Sequence, residues 1–148
     1  MQSLAQPTLR FKGFDNDWSC NSLGNIANVS KLAGFEYTKY IKYENAGKII
    51  ALRALNIKKN KLDLSDVKYI DRSDFSKLSR SKLYKNDLMF TYIGTIGEVA
   101  LIDQDDKYYL APNVSRIRFD NKDCIPEFAI QYFSRDKFVK SEIKKFIS

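Results

Sequence analysis

The sequence predicts an α+β domain: a twisted, mainly antiparallel β-sheet with short peripheral helices and a C-terminal helical segment. Two observations carry that prediction. Segments rich in Ile, Val and Tyr fill the middle of the chain, separated by turn residues or short helical patterns rather than by regular crossover helices. From Pro126 onward the apolar residues change to helical spacing, with Phe128, Ile130, Tyr132 and Phe133 followed by Phe138, Val139, Ile143, Phe146 and Ile147.

Taken in order, residues 1–5 read as a disordered leader. Gly13 with Asp15, Asn16 and Asp17 predicts a turn that folds Phe11, Phe14 and Trp18 back onto the domain. Ser22 is placed to cap a short helix carrying Leu23, Ile26, Ala27 and Leu32 on one face, and Gly34 ends it. Strands are expected at 40–43, 48–53 and 67–70, with Asn45-Ala46-Gly47 as a turn. Residues 56–63, between the last two, form a basic loop. Ser73 caps a short helix over 73–79 that turns Phe75 and Leu78 inward. Strands at 88–92 and 99–102 flank Gly94-Thr95-Ile96-Gly97, a reversal in which at least one glycine needs positive φ. A further strand, 114–119, follows Ala111-Pro112-Asn113, and Pro126 suits the first turn of a helix.

Composition bounds the function. A chain of 148 residues fits one domain. At this size it buries roughly 68–70% of its unfolded surface, so neither metal nor disulfide is needed for a core. No apolar run approaches the roughly 20 residues of a membrane span, and a cytoplasmic location is expected. Cys20 and Cys124 sit in no metal-like spacing and read as free thiols. There is no histidine, which excludes the usual zinc sites, the Ser-His-Asp triad and any Cys-His dyad. Gly94-Thr95-Ile96-Gly97 leads into a strand and lacks a following Lys-Ser/Thr pair, unlike a phosphate-binding loop. The acidic residues are dispersed, and Asp105-Asp106 reads as a solvated turn rather than part of a nuclease centre. Neither catalytic residues nor metal ligands are expected.

What remains is binding. The net charge of +7 favours a polyanionic partner, although a lysine-rich surface also serves solubility. Arg53, Asn56, Lys58, Lys59, Asn60 and Lys61 lie at a strand end and in the loop after it, where a sheet can aim them into a DNA groove. Lysine neutralises phosphate, arginine addresses guanine and asparagine addresses adenine. Asn56 by itself reads rather as a turn cap, and the loop as a group rather as a contact. Thr91, Tyr92, Gly94 and Thr95 form a second candidate contact, since glycine admits a close approach of phosphate; the same residues also suit simple chain reversal. Lys137, Lys140, Lys144 and Lys145 read as a solvated helix face. An alternative function is a protein-interaction module that docks a partner through its C-terminal helix. Phe138, Ile143 and Phe146 would then form an exposed seam for a partner helix or a second copy, with the basic surface incidental.

Along the chain stand Leu9-Arg10-Phe11-Lys12-Gly13-Phe14 with Trp18, then Leu23-Gly24-Asn25-Ile26 and Leu52-Arg53-Ala54-Leu55-Asn56-Ile57. Asp87-Leu88-Met89-Phe90, Gly94-Thr95-Ile96-Gly97-Glu98-Val99-Ala100-Leu101-Ile102 and Pro112-Asn113-Val114-Ser115-Arg116-Ile117 follow. In this order and spacing they resemble a target recognition domain of the DNA specificity subunit of type I restriction-modification systems, and the resemblance spans nearly the whole chain. It implies a non-catalytic reader of double-stranded DNA that directs adenine methylation and restriction by partner subunits. S-adenosylmethionine would belong to the methyltransferase subunits, and ATP and Mg to the restriction motor subunit, with no cofactor in this chain. It also implies a recognition domain at 1–134, followed at 135–148 by the start of a candidate spacer helix. One domain where the family pattern has two is consistent with an excised domain, a truncated product or a half-subunit that self-associates.

Overall fold

The computed structural model describes residues 11–32, 34–119, 124–136 and 142–143. Three helices lie among them: α1 (Leu23–Ile26), α2 (Gly34–Tyr40) and α3 (Pro126–Phe133). The strands are β1 (Ala27–Lys31), β2 (Ile50–Leu52), β3 (Ile57–Lys58), β4 (Lys61–Leu62), β5 (Lys68–Tyr69), β6 (Leu88–Thr91), β7 (Val99–Leu101), β8 (Tyr108–Leu110) and β9 (Val114–Phe119). Short 3₁₀ turns occupy Ala54–Asn56, Phe75–Lys77 and Ser79–Ser81.

The main sheet has the order β1-β9-β6-β7 and is antiparallel throughout. Its register is set by Ala27 opposite Phe119, Leu88 opposite Ile117 and Phe90 opposite Val99. Alternation along the strands divides the core, because successive side chains point to opposite faces. Leu88, Phe90, Val99 and Ile117 pack with Ala27 and with Ala129 of α3. Met89, Ala100 and Val114 face a larger cluster with Leu52, Ile57, Ile70, Leu83, Tyr108 and Leu110. Covered on both faces, β6 reads as a continuous apolar run rather than an alternating one.

A second sheet, β5-β2-β8, closes the larger cluster. Here β2 pairs antiparallel with β5 and parallel with β8, Ile50 opposite Tyr108 and Leu52 opposite Leu110. Full burial of a side chain such as Leu52 stabilises the fold by about 1.5–3 kcal/mol. The architecture is the expected α+β one, and no described helix is long and apolar enough to cross a membrane.

Several elements differ from the sequence expectation. The helix begun at Leu23 lasts one turn, and Ala27 onward extends into β1 because β9 offers it a full antiparallel partner. Gly34 opens a helix rather than ending one, and that helix takes Tyr40 out of the strand expected at 40–43. Asp74, not Ser73, caps the turn at Phe75, accepting from the Ser76 N–H at 3.2 Å. Ser73 Oγ accepts the Lys42 N–H instead. The Gly13 turn forms, with φ +90 and the Phe14 N–H bonded to the Phe11 carbonyl at 3.1 Å. It does not bury its aromatics: Phe11 is 86% exposed and Phe14 70%. Trp18 stacks on Phe128 of α3, ring centroids 5.4 Å apart.

Candidate nucleic-acid interface

Leaving β2, the chain turns at Arg53 into the 3₁₀ turn Ala54–Asn56 and then into the β3-β4 hairpin. Asn56 organises this passage from within. Its Oδ1 accepts the Arg53 N–H at 3.0 Å, and its Nδ2 donates to the carbonyls of Asp63 at 2.9 Å and Asp66 at 2.7 Å. The side chain is completely buried, so the expected amide contact to a base edge is not available; Asn56 ties the loop instead. Arg53 is committed in part as well, its Nη2 bonding the Asp66 carbonyl at 2.8 Å and carboxylate at 3.0 Å.

At the hairpin tip Lys58 pairs with Lys61, leaving Lys59 and Asn60 as a two-residue loop. Both have positive φ, 50 and 64, as a type I′ turn requires. Asparagine tolerates this conformation, whereas for lysine it costs about 1–2 kcal/mol. The cost is met locally. The Lys59 N–H donates to Oε2 of Glu98 at 2.7 Å, and a hydrogen bond to a charged acceptor contributes about 1.5–3 kcal/mol.

That bond joins the hairpin to the second predicted segment. Thr91, at the end of β6, is buried and holds the glycine turn from inside: its hydroxyl donates to the Thr95 carbonyl and accepts the Glu98 N–H at 3.0 Å. Like Asn56, it supports a loop rather than facing outward. The Thr91 carbonyl accepts the Gly97 N–H at 3.0 Å, and Gly94 and Gly97 take φ of +84 and +93. Apart from its own chain neighbours, no atom lies within 4 Å of where a Gly94 Cβ would stand. Glycine at 94 therefore answers to the left-handed turn rather than to crowding, and it leaves open space outside.

The Lys59–Glu98 hydrogen bond brings the two segments side by side, and the face taken here as their common surface carries the exposed Lys58, Lys59, Asn60 and Lys61 of the hairpin and Ile93, Gly94 and Thr95 of the turn. Tyr92 borders them half-buried, its N–H donating to the Asn113 carbonyl at 3.3 Å. Lys31 extends the face, its Nζ 5.9 Å from the centre of the Tyr92 ring. Lys31, Glu98 and Asn113 were not among the expected site residues. Asn113 had a signal, an asparagine after proline, and adopts φ 71.

The charge of this face is smaller than its lysines imply. Lys58 Nζ lies 2.7 Å from Oδ2 of Asp63, and with the Ser65 hydroxyl and N–H it holds the Asp63 carboxyl well below the usual carboxylate range. Lys59 and Lys61 form no ion pair among the described residues. No group of His, Cys, Asp and Glu there converges as a metal site. Of the expected partner-binding residues, Ile143 packs half-buried against the smaller core cluster, while Phe138 and Phe146 lie outside the described residues.

Residues 15–147 match the sequence family described as type I restriction modification DNA specificity domain. The chain is also 29% identical, over 112 residues, to the Type I restriction enzyme EcoBI specificity subunit of Escherichia coli. That match covers 76% of this chain and 23% of the relative, so the chain spans about a quarter of the length of the curated relative it matches.

Proposed function

Since the chain belongs to the type I restriction-modification DNA specificity domain family, we propose that it recognises a short base sequence in double-stranded DNA through the face formed by the β3-β4 tip and the Gly94–Gly97 turn. One observation carries the reading: two segments whose chemistry separately suits DNA are joined by the Lys59–Glu98 hydrogen bond into a single surface. Cationic side chains there supply phosphate contacts, and the exposed amide of Asn60 and hydroxyl of Thr95 supply donors and acceptors for base edges.

In this reading the chain contributes recognition and no chemistry. One domain reads one part of a target and positions a methyltransferase subunit, which methylates adenine with S-adenosylmethionine. A restriction motor subunit, using ATP and Mg, acts on unmodified DNA in the same complex. The cytoplasm, where the DNA is, is the corresponding location.

The test is selection from a randomised duplex library at low and at raised salt, followed by sequencing of the retained DNA. Enrichment of a short motif is expected. Salt-sensitive retention without enrichment would restrict the chain to phosphate attraction, and absence of retention would overturn the reading.

A further inference from the structure

Glu98 stands apart from its surroundings: an acid whose carboxylate meets the backbone of the lysine-bearing hairpin tip at Lys59, on a face that, on the reading above, meets DNA. A carboxylate there repels phosphate, so its presence calls for a compensating role. Its main chain is bound to Thr91, whose N–H donates to the Glu98 carbonyl at 3.0 Å and whose hydroxyl accepts the Glu98 N–H. Its carboxylate reaches across to the Lys59 N–H at 2.7 Å. Anchored at one end by the β6-β7 turn and at the other by the hairpin, Glu98 ties the two loop tips together.

We propose that Glu98 is a positioning residue for DNA recognition: its carboxylate holds the Lys59-Asn60 tip against the Gly94–Gly97 turn, so that both loops meet a duplex as one rigid surface. The inference rests on the DNA-binding reading. The tether also fixes Lys59 in a left-handed conformation that lysine disfavours, which sets where Asn60 points its amide relative to Thr95. Fixed spacing favours discrimination, because a loose tip loses ordering entropy on binding and fits several sequences equally. The negative charge works in the same direction by lowering attraction to any phosphate backbone.

The experiment compares the parental chain with Glu98→Ala and Glu98→Gln in two measurements. Amide hydrogen exchange at Lys59 without DNA should accelerate about tenfold in Glu98→Ala and little in Glu98→Gln, whose amide oxygen still accepts the bond. The preference for a library-enriched duplex over a random duplex of equal length should fall about tenfold in Glu98→Ala, with random-duplex retention equal or higher. Glu98→Gln should keep most of the preference. If Glu98→Ala fails to fold, the comparison moves to Lys59→Gly against Lys59→Gly with Glu98→Ala, since glycine holds the turn without strain. Unchanged preference after removal of the carboxylate overturns the positioning role while leaving DNA binding intact. A parental chain that retains no duplex overturns both.

Discussion

The backbone N–H of Lys59 and the carboxylate of Glu98 meet at 2.7 Å across 39 positions of sequence. The contact places a strained hairpin tip beside a glycine-rich turn, and each loop has its own buried tie underneath, Asn56 for one and Thr91 for the other. Side chains that were candidates for reading DNA thus divide into supports and surface. The distinction determines which substitutions should affect stability and which should affect binding.

Lysine replacement should act on the salt dependence of duplex binding. Lys59→Ala and Lys61→Ala are each expected to flatten the log-log slope by about 0.9 for every phosphate that is no longer neutralised. Lys58→Ala should flatten it less, because Asp63 already holds that ammonium at 2.7 Å. A salt titration of duplex binding measures all three, and an unchanged slope in the triple variant removes the hairpin from the interface.

Asn56→Ala should lower stability rather than alter specificity. It leaves the Arg53 N–H and the carbonyls of Asp63 and Asp66 without their partner. The expected cost is about 2–3 kcal/mol in urea unfolding, since buried polar groups lose their compensation. A stable variant that binds DNA but no longer discriminates would return Asn56 to the reading set.

Asp63 gives the hairpin an acid sensitivity. Its carboxyl is lowered in the folded chain by the Lys58 ammonium and by Ser65, so the folded state favours the ionised form. The sign follows by linkage: the contribution is complete above the unfolded carboxylate value of about 3.9 and is lost as pH falls toward the folded value. Urea midpoints between neutral pH and about pH 3 should therefore fall more steeply for the parental chain than for Asp63→Asn. Parallel profiles would contradict the assignment.

Gly94→Asn separates a turn from a contact surface. Asparagine adopts positive φ at modest cost, and nothing apart from its own chain neighbours lies within 4 Å of the added Cβ, so the variant should fold. Duplex binding should weaken by about fivefold, roughly 1 kcal/mol, as the new side chain stands where DNA approaches. Equal binding by the folded variant would show that DNA does not approach Gly94.

The sequence was readable where local chemistry and tertiary structure agree. β9 is continuous β-forming sequence and appears with the expected limits, and Pro126 opens α3 as expected. It was less readable where a distant partner decides. Ala27–Lys31 is compatible with helix and becomes strand because of β9, far along the chain, as the Asn28 to Arg118 pairing shows. Tyr108–Leu110 is too short to announce itself and is a strand through its parallel pairing with β2. At the site, residue type distinguished the polar loops but not burial: nothing local separates Asn56, fully enclosed, from Asn60, exposed four positions later. The role of Glu98 depends on a left-handed lysine, which residue type does not announce.

The most direct test of the two-loop face is amide hydrogen exchange across the whole chain with and without duplex DNA. Exchange should slow at 58–61 and 92–97 together, with Asn113 beside them, and change little at Lys48 and Ile49, whose amides bond to Asp71 elsewhere on the molecule. Protection confined to one loop, or found around Trp18 and Phe128 with neither loop affected, would contradict a face built from both loops.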